Sequence, residues 1–222
     1  MINEQMLVTL TMAILITSVA AVEIRNLRLA AHAYLLHSLL LCAIIVSYAY
    51  ITGNESLYLW AITCVLTKVI IIPWLLIRYS KMVPQNEYRP IVGFVMSVLA
   101  LTVILIVFYK VFQTSITLWA PTEEAQRAPV RNLLAGSVTV FVLGIWTLLS
   151  RRDVIKTVIG VALMENGVHL ILLALVPQLK ETTMIGIVTN VVAVVFILLY
   201  LSADIYRIFG TTDSARLSEL KR

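Results

Sequence analysis

The sequence predicts an all-α, polytopic membrane protein with seven transmembrane helices. Three observations carry that prediction. The chain of 222 residues is 60% hydrophobic and only 13% charged, with a mean hydropathy of +0.95, outside the range of soluble globular domains. Seven apolar runs, near 5–22, 29–51, 57–78, 90–112, 132–150, 154–176 and 183–206, are each long enough to cross a hydrocarbon core of about 30 Å as a helix. The connections after runs one, three, five and seven hold twelve of the seventeen Lys and Arg residues, the other side holds four, and Lys68 lies inside run three. That alternation puts the N-terminus outside and the C-terminus in the cytoplasm. Helices follow over strands because each run must satisfy its own backbone amides in lipid.

Charge and cysteine content narrow the function classes. The formal net charge of +5 arises from short basic connections between apolar runs, which is a topology signal and not a nucleic-acid footprint. Cys42 and Cys64 fall inside apolar runs and read as small apolar fillers, so neither a disulfide framework nor a metal site is expected. No polar stretch is long enough to enclose a soluble core. The opening MINEQMLVTL has no basic n-region, and no secretory signal peptide is expected.

Run one is apolar, with Glu23 at its end as an interfacial carboxylate. Run two begins LAAHAYLLHSLLLC and carries His32 and His37. Five residues apart on a helix, these do not share a tight face, which disfavours a metal pair. A buried hydrogen bond and a place in a proton relay both stay open for His37. Run three holds Lys68 at its centre, too deep to snorkel to either interface, with Pro73 five residues on. Proline removes the helical bond to the Val69 carbonyl, which predicts a kink and a polar spot beside the lysine. Lys68 either neutralises a carboxylate on another helix or subunit, or titrates in an ion pathway. The connection SKMVPQNEYRP reads as an ordered cytoplasmic loop. Run four is apolar apart from small hydroxyls, as a structural or lipid-facing helix would be.

The longest connection, 113–131, contains Trp119 and two prolines and reads as an outer interfacial loop. It divides a four-helix N-terminal module, 1–112, from a three-helix module, 132–206, with a cytoplasmic tail over 207–222. Run five carries Gly136 and Gly144, small residues that let helices approach closely in lipid. Run six follows Arg151, Arg152 and Lys156 and places one carboxylate, Glu165, at its centre. A carboxylate at bilayer depth is costly unless paired, hydrated or neutral, and it marks proton and ion pathways. Gly160 and Gly167 share a stripe of that helix; Glu165 and His169, four residues apart, face the same way. Run seven carries Asn190, an amide suited to a neighbouring polar group, and Asp204 near its cytoplasmic end. The intervals Arg28–His37 and Lys156–Glu165 are both nine residues, a hint that helices one to three are distant relatives of helices five to seven.

The run SRRDVIKTVIGVALMENGVHLILLAL resembles the signature of the hydrogenase-4 component E family: a basic pair, a helix, then Gly-x-x-x-Met-Glu-Asn-Gly-x-His-Leu. LTKVIIIPWLLIRYSKMVPQN and IGIVTNVVAVVFILL resemble it as well, so that the likeness spans essentially the whole chain. Helices five to seven are also similar to the three-helix K subunit of respiratory complex I and to its C-type counterpart in multi-subunit cation/proton antiporters. The resemblance implies a non-redox subunit in the membrane arm of a formate hydrogenlyase-like complex, in the inner membrane of a prokaryote, beside antiporter-like subunits. It implies that the nickel–iron centre and iron–sulfur clusters sit in partner subunits, and that this chain holds no cofactor and catalyses nothing alone. Glu165 matches the helix-two glutamate of the K subunit, and Lys68 the lysine of the TKV motif. The second carboxylate of the K-subunit pattern is replaced by Asn190, which hydrogen-bonds but cannot titrate. The expected pathway residues are therefore Glu165, Lys68, His169, Asn190 and His37, coupled so that a change of charge on one alters the proton affinity of the next. Two other classes stay open. One is a self-contained small ion transporter, against which stands the lack of an inverted repeat with broken helices. The other is a structural scaffold in which Lys68 and Glu165 form a buried pair.

Overall fold

A computed structural model describes residues 2–84, 86–176 and 181–213. Among these residues seven helices are long and apolar enough to cross a membrane: α1 (Ile2–Glu23), α2 (Leu27–Thr52), α3 (Ser56–Tyr79), α4 (Phe94–Thr114), α5 (Ala128–Ser150), α6 (Val154–Leu175) and α7 (Glu181–Phe209). There is no β-strand among the described residues, only two isolated bridges. The stretch 113–131 is not a plain loop. It holds the end of α4, two single-turn helices, Ile116–Trp119 and Glu123–Gln126, and the start of α5. Pro129 lies in the first turn of α5, where the absent N–H has no helical partner to lose. Pro177, Lys180 and residues 214–222 of the expected tail lie outside the described residues.

Side-chain chemistry sets the helix ends. The Asn26 side chain accepts from the backbone N–H groups of Arg28 and Leu29 to cap α2, and the Asp153 side chain accepts from that of Ile155 to cap α6, the usual N-cap arrangement. Gly53 ends α2 in the left-handed region at φ 65°, which glycine adopts without a Cβ penalty. The kink predicted at Pro73 takes another form. Residues Val65–Ile71 widen into a π-helix, with the Ile72 N–H donating to the Thr67 carbonyl, and Pro73 sits in the first turn of the α-helical segment that follows. A proline has no N–H to give and its ring crowds the carbonyl one turn back; the extra width just before it accommodates both. Such widened turns recur at functional sites, and this one is centred on Lys68.

The hairpins α1–α2 and α5–α6 form the heart of the bundle. In the second, glycines set the distance. A Cβ on Gly144 would stand 2.6 Å from the Met164 backbone nitrogen and 2.7 Å from the Gly160 oxygen; one on Gly167 would stand 2.7 Å from the Phe141 nitrogen. Backbone meets backbone at both places. In contrast, α4 buries only Ser97 and Leu101.

The apolar core is split in two. One cluster gathers residues such as Leu7, Leu41, Trp60, Leu133 and Leu173. The other gathers Ala21, Leu27, Ile72, Leu143, Ile159 and Leu199. Between them lie buried Ser18, His37, Ser38, Lys68, Asn166 and His169. The bundle is thus two greasy ends joined by a polar layer.

The internal echo has a geometric counterpart. One bridge joins Asn26 to Asn86 and the other joins Asp153 to Asp213. Both span 60 residues (26 to 86, 153 to 213), and in each case the first partner is a helix N-cap. This register sets Ser38, not His37, opposite Glu165, a shift of one residue from the spacing noted in the sequence.

Candidate functional site

The polar layer centres on Lys68 and Glu165. Lys68, fully buried on the π segment of α3, donates to Glu165 Oε2 and to Asn166 Oδ1, the latter at 2.6 Å. The Glu165 side chain keeps 10% of its surface. One turn on, His169 Nε2 stands 2.8 Å from Glu165 Oε1, a close contact without the alignment of a hydrogen bond, since neither atom has a hydrogen-bond partner. The indole of Trp60 packs on the His169 ring at 5.6 Å between centroids. The helical spacing of MENGxH places Glu165, Asn166 and His169 on adjoining faces of α6, and the widened turn of α3 lets the ammonium reach two of them.

Of the five residues expected in the pathway, the structure brings Lys68, Glu165 and His169 into contact. His37 is close by on α2, fully buried, with Nδ1 3.1 Å from Ser18 Oγ on α1. Asn190 is elsewhere. It is exposed on α7 and so lies outside the buried polar layer, because the part of α7 that carries it does not turn that face into the bundle. Asn166 takes the role of the amide beside the carboxylate. The sequence contained that residue inside the Met-Glu-Asn-Gly motif, but only its contact with Lys68 distinguishes it. Tyr34, also fully buried, lies beside Ser38 and Asn166; nothing in the run LAAHAYLLHS separates it from an ordinary core tyrosine. Among the described residues no group of three or more His, Cys, Asp and Glu is arranged to hold a metal ion.

A second charged cluster closes the basic end of the bundle. Arg151, 4% exposed, donates through Nη2 to Glu23 at 2.5 Å and through Nη1 to Glu87 at 2.8 Å. Ser97 of α4 also donates to Glu23, at 2.5 Å. Lys156, counted in the sequence as a flanking cation, is fully buried: its ammonium donates to the carbonyls of Ala21, Val22 and Ile24 at the end of α1, at 2.9, 2.9 and 2.6 Å. Those carbonyls have no partner within their own helix, and a cation at a helix C-terminus also suits the macrodipole. Burial pushes the Glu87 carboxyl above its ordinary value, against the pull of Lys156 and Arg151. Asp153 is likewise raised by burial, opposed by the Ile155 N–H and the Thr212 hydroxyl. Glu23 had read as a plain interfacial carboxylate and Glu87 as part of a polar loop; their arginine partner lies 128 and 64 residues away.

Both clusters pair the C-terminal part of the chain with residues that precede it. Residues 132–222 match the family NADH-ubiquinone/plastoquinone oxidoreductase chain 4L, and that stretch contains Glu165, Arg151 and Lys156. Lys68, Glu23, Glu87 and the α1 carbonyls come from outside it. Over 207 residues the chain is 28% identical to hydrogenase-4 component E of Escherichia coli strain K12, with 93% of each chain covered. The same identity and coverage hold for hydrogenase-4 component E of Escherichia coli O157:H7 and of Shigella flexneri. No solved structure matches the chain. The chain is thus similar to hydrogenase-4 component E over nearly its whole length, and its C-terminal region is similar to chain 4L.

Proposed function

We propose that this chain is a non-redox membrane subunit of a complex I-related, hydrogenase-linked assembly, and that Lys68 and Glu165 are the charge-switching pair through which protons or sodium ions move. The homology supports a membrane subunit of such an assembly. The observation that carries the ion role is the pair itself, two opposite charges in the polar layer between two apolar cores. A buried ion pair gains little stability over apolar side chains of the same volume, so structure alone gives poor reason to retain it. A lysine drawn off by a new charge nearby leaves a carboxylate without its counterion in low dielectric, and uptake of a proton relieves that. Return of the lysine expels the proton. His169 and His37 extend this path and Asn190 stands apart from it. Partner subunits supply the nickel–iron centre and iron–sulfur clusters, antiporter-like subunits lie alongside, and the basic end faces the cytoplasm of a prokaryotic inner membrane.

The test is Glu165→Gln in the complex purified through a tag on this chain. Proton uptake into proteoliposomes is expected to disappear while hydrogenase turnover and the set of co-purifying polypeptides persist. Loss of assembly as the sole effect would favour the scaffold. Ion movement by the chain purified without partners would favour a self-contained transporter.

A further inference from the structure

We propose that Tyr34, His37 and Ser38 of α2, together with Asn166 and His169 of α6, line a water-holding chamber that gives the Lys68–Glu165 pair a proton branch into the N-terminal module. This rests on the ion role proposed for Glu165. The observation behind it is a concentration of buried polar atoms with no hydrogen-bond partner in the protein: Tyr34 Oη, His37 Nε2, Ser38 Oγ, Asn166 Nδ2 and His169 Nδ1. Tyr34, His37, Ser38, Asn166 and His169 are all fully buried. Orphaned buried donors and acceptors are rare in folded proteins, and each calls for a partner. So many in one polar layer are met together by shared water, since a buried water serves two to four such groups.

The groups are near enough to share it. Tyr34 lies beside Ser38 and Asn166 and feels the charge of Glu165. The rings of Tyr34 and His37 stack with centroids 6.1 Å apart. His37 feels the charge of Lys68.

The hydrogen bonds also fix which nitrogen of His37 is available. The Ser18 hydroxyl donates to the Ile14 carbonyl at 2.7 Å, so its single proton is committed. Toward His37 Nδ1, 3.1 Å away, Ser18 can therefore only accept. The neutral imidazole carries its hydrogen on Nδ1 and leaves Nε2 a bare lone pair, the orphan atom of the chamber. A base with an open lone pair, a phenol and an amide around one ion pair is a proton-transfer set. It bypasses Asn190 altogether and leads away from the chain 4L-like region, toward α1 and α2.

The experiment uses the assembled complex. Tyr34→Phe removes one oxygen and keeps the ring; His37→Gln removes the base and keeps a polar group. With Glu165→Gln measured alongside, Tyr34→Phe and His37→Gln are each expected to lower proton uptake per hydrogenase turnover at least about tenfold, below what one positioned proton-transfer group commonly contributes. If Glu165→Gln abolishes uptake while Tyr34→Phe and His37→Gln keep the unmodified ratio, the branch is wrong and the role of Glu165 stands. If Glu165→Gln keeps the unmodified ratio, the role of Glu165 fails and the branch with it. A cryo-electron-microscopy map of the unmodified complex tests the chamber without any variant. Water density within hydrogen-bond distance of Tyr34 Oη and His37 Nε2 supports it, and a dry, closed site there overturns it.

Discussion

Lys68 and Glu165 are 97 residues apart in the chain, yet the need for their pairing could be read from each alone: neither charge belongs at bilayer depth without a partner. Their contact could not be read, because helical periodicity gives an azimuth on one helix and says nothing about which neighbour covers it. Asn190 shows the other side of this. A polar residue in the middle of an apolar run looked like a member of the network and lies exposed. Arg151, Lys156, Glu23 and Glu87 were legible only as charges near helix ends, where outward-facing and inward-facing groups have the same sequence pattern. Glu87 permits a direct check. Its carboxyl is raised above the ordinary value by burial, so the folded state holds its proton more tightly than the unfolded chain. The associated stability is complete below the ordinary carboxylate value and is lost as pH rises through the folded one. Thermal unfolding in detergent across that range is expected to show a midpoint that falls with rising pH, with a shallower fall in Glu87→Gln.

The helices themselves were the most legible feature, because bilayer thickness fixes their length and lipid forces each to satisfy its own backbone. Departures came where a local device replaced the ordinary rule. Pro73 gave a π segment in place of a kink, and Pro129 let α5 start earlier than its apolar run. Glycine spacing foretold a close neighbour for α6, and that neighbour is α5. Gly144→Ala and Gly167→Ala would each drive a methyl into backbone, so each is expected to cost about 1–3 kcal/mol in thermal or denaturant unfolding, as overpacking does. Gly186 of α7 meets nothing within 4 Å; Gly186→Ala is expected to be neutral, or to stabilise by up to about 1 kcal/mol through helix propensity.

For the molecule as a whole, the chain 4L-like region and the residues before it are electrostatically incomplete apart. The chain 4L-like region brings a carboxylate and two buried cations, and residues 21–87 bring their partners. An uncompensated buried charge costs about 3–5 kcal/mol when its partner is removed. Residues 121–222 expressed alone are therefore expected not to accumulate in membranes. Co-expression with residues 1–120 is expected to restore both halves, recovered together through a tag on either.

Carrying Lys68 on the same chain as Glu165 has a consequence for the order of biogenesis. A membrane protein whose central carboxylate waited for a counterion on another polypeptide would be a target for quality control until that polypeptide arrived. Here the neutralisation happens as the chain itself completes insertion, so it can stand in the membrane as a stable, inert precursor before any neighbour docks. Cells that make the full chain without its partners are expected to retain it undegraded in a pulse-chase experiment, while Lys68→Ala under the same conditions is cleared.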